Sequence, residues 1–169
     1  WEHQALTRAR FCAGDRFIGD RFEKIRQQVL ASDRDPKMLR DEIILMRKRV
    51  ADGHPNATDS FDVKHDHGGM VDIEFIVQYL ILQYASQHPA LLGNLGNIAL
   101  LHIAGQIGLV DAALAHRVAS AYRLYREYQH LMRLDGAEKT RIPPEKIDES
   151  LRGARDSVSE LWRLVLRAE

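Results

Sequence analysis

The sequence contains one cysteine, Cys12, which excludes an internal disulfide and any zinc site built from cysteines. A lone thiol fits a reducing compartment, so we expect a cytoplasmic protein. Apolar runs of roughly 18 residues, the length that a membrane span needs, are also missing. The richest apolar stretch, residues 70–84, is interrupted by two carboxylates and two glutamines, and the sequence does not open on a signal peptide. We therefore expect no membrane partner.

An excess of positive charge is absent too, because 24 lysines and arginines balance 24 aspartates and glutamates. This balance argues against a general nucleic-acid or anionic-membrane surface, although it is compatible with a local basic patch. The 169 residues are 45% hydrophobic and 28% charged, as in globular proteins, and a chain of this length buries roughly 70% of its unfolded surface. Because the chain starts at Trp1, inside a helix-compatible pattern, we expect a piece of a longer protein.

Strand-like alternation of apolar and polar residues is almost absent, and helical periodicity runs along the whole sequence. We predict an all-α fold, a single helical domain over residues 1–169 built as a bundle of about six to seven helices. Its central helix is apolar nearly all round and follows one very short extended segment. Helices are predicted at residues 1–13, 71–87, 94–106 and 111–133, and a last one after Pro143-Pro144. Another helix carries the apolar stripe Ile18, Phe22, Ile25 and Val29, and a further one runs from Asp35-Pro36 to near Gly53. Residues 61–64 are predicted to be extended.

The most informative segment is FDVKHDHGGMVDIEFIVQ, residues 61–78. A short extended stretch delivers Lys64, the diglycine Gly68-Gly69 follows, and the central helix then begins. Glycines permit positive φ or a close approach of backbone to a ligand. Free amides at the start of the helix would suit an anion, and Lys64 would supply a point charge to a phosphate. The simpler interpretation, that the diglycine only forms a tight turn, stays open.

Three polar residues in the first half of this mainly apolar helix are candidate site residues. Asp72 and Glu74 lie in its first turn, where the helix dipole favours negative charge. They are about 200° apart around the axis, so helix geometry alone does not direct them to one metal ion. Glu74 and Gln78 share a face, and because buried polar groups need partners, we expect partners such as Arg or Lys from a neighbouring helix. A purely structural role, as cap and charge match, is the alternative.

Other candidate residues receive structural interpretations. The His65-Asp66-His67 triplet resembles a chelating loop, but the spacing offers no further ligand, so we predict no metal site. Phosphate loops, dinucleotide-binding glycine motifs and nucleophile elbows do not occur. We predict a solvated helix end at Arg47-Lys48-Arg49, a packed or partly exposed His102, and core positions for Tyr122, Tyr125 and Tyr128.

The segment FDVKHDHGGMVDIEFIVQYL resembles the K-GG-DIEF-Q signature of the helical domains in the glutamine synthetase adenylyltransferase family, with which the uridylyltransferases of PII proteins are grouped. The opening WEHQALTRAR is similar to the stretch that follows a nucleotidyltransferase module in that family. The all-helical layout with a Trp-containing last helix is similar to the family's C-terminal end. The resemblance covers essentially the whole chain, and the residues that match the signature are Lys64, Gly68, Gly69, Asp72, Ile73, Glu74, Phe75 and Gln78.

This resemblance implies a helical domain that is accessory to a preceding nucleotidyltransferase domain. Enzymes of the family transfer AMP from ATP to a tyrosine of glutamine synthetase and remove it by phosphorolysis. Magnesium assists the chemistry, and PII proteins and glutamine decide the direction. The family's catalytic carboxylates form an Asp-x-Asp pair after a Gly-Ser loop, and this sequence has no such motif. We therefore expect no catalytic residue in this chain, and neither Mg nor ATP held by this domain alone.

Two interpretations of the signature follow from the resemblance. In the first, its residues face the nucleotidyltransferase domain and complete the nucleotide cleft or the domain joint, and these candidates are Lys64, Gly68, Gly69, Asp72, Glu74 and Gln78. In the second, the signature only holds the domain together, and the surface is a non-catalytic docking module for PII protein or glutamine synthetase. The equivalent domain of a PII uridylyltransferase and an unrelated helical bundle are further alternatives.

Overall fold

The computed structural model describes residues 2–166, so Trp1, where the first predicted helix begins, lies outside the described residues. Within this range the chain forms seven α-helices and one two-stranded sheet, which confirms the predicted all-α class. Single 3₁₀ turns occur at Pro89–Leu92 and Pro144–Lys146. The elements are α1 (Glu2–Leu6), α2 (Arg16–Leu30), α3 (Pro36–Asp52), β1 (Phe61–Asp62), α4 (Met70–Tyr84), α5 (Asn97–Gln106), α6 (Ala112–Leu134), β2 (Arg141–Ile142) and α7 (Glu149–Leu166).

Helix α4 is the centre of the fold, as its sequence predicts. Its buried residues number 11 of 15, and it packs against α3, α5, α6 and α7. Each fully buried aliphatic or aromatic side chain contributes roughly 1.5–3 kcal/mol, so this helix supplies much of the core. It ends at Tyr84, slightly before the predicted end at 87.

Aspartates cap the N-terminal ends of several helices. Asp15, Asp35 and Asp111 cap α2, α3 and α6, each accepting a backbone N–H two or three residues further on at 2.7 Å. Caps of this kind stabilise a helix by about 1 kcal/mol because they satisfy an amide that has no partner inside the helix. The predicted helix starts at Asp35-Pro36 and Asp111 are confirmed.

The first helix is much shorter than predicted, since α1 ends at Leu6 instead of residue 13. Thr7 turns its hydroxyl back to the Gln4 carbonyl at 2.6 Å, and Arg8 reaches the Asn97 side chain on α5 at 2.6 Å. These contacts hold the following residues in an irregular path. Periodicity does not encode the Arg8–Asn97 bond, which joins residues far apart in the sequence.

The apolar stripe on α2 is not its buried face. Ile18 and Ile25 are 65% and 55% exposed, whereas Arg26 is only 1% exposed. Arg26 is tolerated inside because it donates to the Glu23 carboxylate at 2.7 Å and to the Leu92 carbonyl at 2.5 Å. The helix therefore docks through a face about 100° away from its most apolar one.

The short sheet fixes the position of the signature segment. Strand β1 pairs antiparallel with β2, with Phe61 opposite Ile142 and Asp62 opposite Arg141. This pairing holds the α6–β2 loop beside the turn that leads into α4. Among the helices of residues 2–166, none is long and apolar enough to cross a membrane.

Candidate functional site

The turn between β1 and α4 is closed by its own aspartates. Asp62 Oδ1 accepts the backbone amides of Lys64 and His65 at 3.0 Å each. Asp66 Oδ2 accepts the Asp62 amide and the Asn56 side-chain amide, both at 2.8 Å. Side-chain to backbone bonds of this kind are typical of tight turns. They give the turn one defined shape and fix the backbone of Lys64 within it.

The diglycine is required by packing. Gly68 has φ of +82°, and a Cβ atom there would lie 2.6 Å from Arg155 Cγ on α7. A Cβ atom on Gly69 would lie 2.6 Å from the Val63 carbonyl oxygen. The Tyr125 hydroxyl also donates to the Gly68 carbonyl at 2.8 Å. These contacts give the two glycines a structural reason that needs no ligand.

Asp72 joins three parts of the chain. Its carboxylate is fully buried and accepts hydrogen bonds from Arg47 Nε on α3 and, at 2.7 Å, from the Gly68 amide. His67 Nδ1 lies 2.8 Å from Asp72 Oδ2. Burial by itself raises the pKa of Asp72, but the bonds from His67, Gly68 and Arg47, with the positive charge of Arg47, hold it below its ordinary value of 3.8. Asp72 is therefore a charged structural anchor.

The first amides of α4 are already bonded within the chain. The Met70 amide donates to the Val63 carbonyl at 2.9 Å, and the Val71 amide donates to the Lys64 carbonyl at 3.1 Å. Because the turn supplies these acceptors, the prediction that the amides are free for an anion is wrong.

Glu74 and Gln78 face another part of the molecule, on a side of α4 covered by α1 and α6. Glu74 Oε1 accepts the Tyr122 hydroxyl at 3.1 Å, and Gln78 Oε1 accepts the Gln4 side-chain amide at 2.9 Å. Burial, and then the neighbouring Glu74 charge, raise the pKa of Tyr122. The expectation of polar partners is confirmed, but they are a tyrosine and a glutamine and not the expected Arg or Lys.

Lys64 is half-buried and lines a cavity of about 90 Å³ between the β1–α4 turn and the α6–β2 loop. Three more cations line the same cavity, namely Arg133, Lys139 and Arg141. The six predicted site residues thus fall into three groups. Lys64 faces the cavity, Gly68, Gly69 and Asp72 build the turn, and Glu74 and Gln78 bond to other helices.

The histidine triplet has structural contacts. His65 stacks on His54 with ring centroids 4.0 Å apart, and burial lowers the pKa of His65, with Asp62 partly opposing this. His67 meets the edge of Trp162 at a centroid distance of 6.3 Å. Among residues 2–166, no group of three or more His, Cys, Asp or Glu side chains is placed to hold a metal ion.

Arg47 is the important residue that sequence reasoning placed wrongly. It is buried, and besides Asp72 it bonds the His65 carbonyl through Nη2 at 2.8 Å. The predicted solvated helix end is therefore wrong at this position, although Lys48 and Arg49 are exposed. A signal was present, because Arg47 lies four residues after the buried Ile43, on the buried stripe of α3.

Comparison with known proteins gives consistent matches. The model of the family described as GlnD PII-uridylyltransferase matches residues 37–157. Two curated proteins named bifunctional glutamine synthetase adenylyltransferase/adenylyl-removing enzyme, from Bordetella bronchiseptica and Burkholderia mallei, are each 52% identical to this chain over 99% of its length. One of the same name from Chromobacterium violaceum is 54% identical over 98%. The chain spans only 17–18% of the length of these relatives.

Proposed function

The chain belongs to the GlnD PII-uridylyltransferase family, and we propose that it is a helical accessory domain of an enzyme that adenylylates and deadenylylates glutamine synthetase. The observation that carries this proposal is the 52% identity, over 99% of the chain, to relatives bearing that name. Identity at this level over nearly every helix supports a shared role and not only a shared fold. In the intact enzyme the domain follows a nucleotidyltransferase domain and works in the cytoplasm.

The domain's contribution is positioning and charge. The chain lacks a Gly-Ser loop followed by an Asp-x-Asp pair, and its described residues offer no clustered ligands for magnesium. We therefore assign ATP, Mg²⁺ and the reacting groups to the nucleotidyltransferase domain. Lys64 is the signature residue of this domain best suited to assist such chemistry, because it is half-buried and lines a cavity with three other cations. A positive charge placed there favours the negative charge of a phosphate.

The test is a chimera. This chain replaces the matching segment of the Bordetella bronchiseptica relative, and transfer of labelled AMP from ATP to glutamine synthetase is followed. Lys64→Ala should lower the transfer rate tenfold or more, which corresponds to about 1.4 kcal/mol of barrier. Lys146→Ala, which removes an exposed lysine from the 3₁₀ turn Pro144–Lys146, is the matched control and should leave the rate unchanged. Thermal melts of all chimeras check that folding is equal, and equal rates for the two variants contradict this role of Lys64.

A docking module for PII protein or glutamine synthetase is the second candidate, favoured by the exposed apolar face of α2. Phe17, Ile18 and Ile25 are 69%, 65% and 55% exposed, and Met38 at the start of α3 is 64% exposed. Several large apolar side chains exposed on one helix face are typical of interaction sites. In the same chimera, Ile18→Ser with Ile25→Ser should alter the response to PII protein or the KM for glutamine synthetase if this face docks either one. An unchanged response and KM contradict the docking function.

A further inference from the structure

The cavity beside Lys64 contains more positive than negative charge. Four cationic side chains line it, Lys64 from the β1–α4 turn, Arg133 from the last turn of α6, and Lys139 and Arg141 from the segment that leads into and forms β2. The carboxylates that line it are Asp62 and Glu138. Like charges close together repel one another, so such a cluster is costly unless an anion is present.

The two carboxylates leave most of this cluster unpaired, because the one ion pair that the structure describes among these residues joins Asp62 Oδ2 to Arg141 Nε at 3.5 Å. Asp62 Oδ1 is already used by the Lys64 and His65 backbone amides and also lies near the His65 ring. Within residues 2–166, neither Lys64, Arg133 nor Lys139 has a carboxylate within 4.0 Å. Three of the four cations therefore have no ion-pair partner in the described part of the chain.

Arg141 gives a second, independent indication that an anion binds in this cavity. Its Nε atom is buried and lacks a hydrogen-bond acceptor among the described residues, although it lies 3.5 Å from Asp62 Oδ2. A buried donor without an acceptor costs about 1–3 kcal/mol, and more for a charged group, so such groups are normally satisfied. A bound ligand that carries oxygen acceptors would satisfy this one.

We propose that this cavity binds a single phosphate group, held by Lys64, Arg133, Lys139 and Arg141. Its volume of about 90 Å³ suits one tetrahedral oxyanion and excludes a whole nucleotide. The backbone of the site is preformed, because the aspartates of the turn fix the Lys64 backbone and strand pairing fixes the Arg141 backbone opposite Asp62. The phosphate is either free inorganic phosphate or the terminal phosphate of a nucleotide whose remainder lies outside. The inference deepens the role proposed for Lys64, but it concerns binding by this chain alone, so it is tested apart from AMP transfer.

The experiment is a titration of the isotopically labelled 169-residue chain with inorganic phosphate, followed by amide chemical shifts at constant ionic strength set with chloride. We expect saturable shifts confined to the residues at the cavity, namely residues 62–65, Arg133 and residues 138–141. Lys139→Ala and Lys64→Ala should each weaken binding by about tenfold, the loss expected for one charge-assisted hydrogen bond. Both side chains line the cavity, and Lys139 is exposed, so its variant tests the proposal even if Lys64→Ala folds poorly.

The control is Lys146→Ala, which should bind phosphate as the wild type does. A second titration with ATP identifies the source of the phosphate. Competition between ATP and inorganic phosphate at the same residues indicates a nucleotide phosphate, and phosphate binding without ATP binding indicates free phosphate. Shifts that grow linearly with phosphate, or equal affinities for wild type and Lys139→Ala, would overturn the proposal. In that case Arg133 serves only to stabilise the C-terminal end of α6.

Discussion

Replacing Asp72 by asparagine should strongly destabilise the chain, although the change removes only one charge. The Asp72 carboxylate accepts from Arg47 on one oxygen, and from the Gly68 amide and His67 on the other. An asparagine keeps one acceptor but turns an NH₂ group toward either Arg47 or Gly68. A donor then faces a donor inside the core.

The magnitude follows from the burial of both partners. The side chains of Arg47 and Asp72 are only 9% and 1% exposed, so the variant leaves an uncompensated guanidinium in the interior. Removing one partner of a buried pair costs about 3–5 kcal/mol. Because asparagine retains one acceptor, we expect the lower end, about 3 kcal/mol, which lowers Tm by roughly 6–12 °C in a chain of this size.

The assay is urea unfolding followed by far-UV circular dichroism, with Asp59→Asn, an exposed aspartate in the preceding loop, as the control. Folding lowers the pKa of Asp72 in the wild type. Its contribution to the unfolding free energy is therefore complete above about pH 4 and is lost as the pH falls through the pKa of the folded state. The unfolding free energy of Asp72→Asn should therefore depend less on pH in this acid range. A loss below about 1 kcal/mol, within the range of solvated pairs, would refute the reasoning.

Two further predictions concern the same turn. Gly68→Ala should lower the unfolding free energy by more than about 1 kcal/mol, because alanine is strained at φ of +82° and its Cβ meets Arg155. In contrast, Gly153→Ala on α7 should raise the unfolding free energy by about 0.5–1 kcal/mol, because an added Cβ there meets nothing within 4 Å. Equal effects of the two changes in urea unfolding would contradict this account. Burial lowers the pKa of His65 below 6.5, so its contribution to stability is present above that pH and declines as the pH falls. Unfolding measured between about pH 7 and 5 should show a steeper decline for the wild type than for His65→Asn, and parallel curves would exclude His65 as the cause.

The sequence predicts the parts of the fold that depend on local pattern. Helix α4 is apolar on nearly all sides, and a helix of that kind is stable only when other elements cover it. Asp35 and Asp111 accept hydrogen bonds from amides three residues further on, so the helix starts that they cap can be predicted from the local sequence. The short extended segment before α4 also occurs, although only Phe61–Asp62 form a strand.

Features that depend on partners far away in the sequence cannot be predicted from the local pattern. Arg26 donates to the distant Leu92 carbonyl as well as to the nearby Glu23 carboxylate. Arg47 donates to the Asp72 carboxylate and the His65 carbonyl, both outside its own helix. Hydropathy gives both residues the same weight as a solvated arginine. The apolar stripe of α2 is misleading for the converse reason, since Ile18 and Ile25 remain exposed although their spacing is that of a core face.

The structure separates two kinds of residue that the signature places together. Gly68, Gly69 and Asp72 are accounted for by contacts within the chain, and so are Glu74 and Gln78. The side chain of Lys64 is different, because no hydrogen bond or ion pair within residues 2–166 explains why a lysine stands there. The constrained turn places a half-buried cation where it has no partner among the described residues, which costs free energy of folding. That cost has no structural return if the turn serves only to connect β1 to α4. The function of the signature is therefore to be sought at Lys64 and its cavity, with the glycines and Asp72 as the parts that hold it in place.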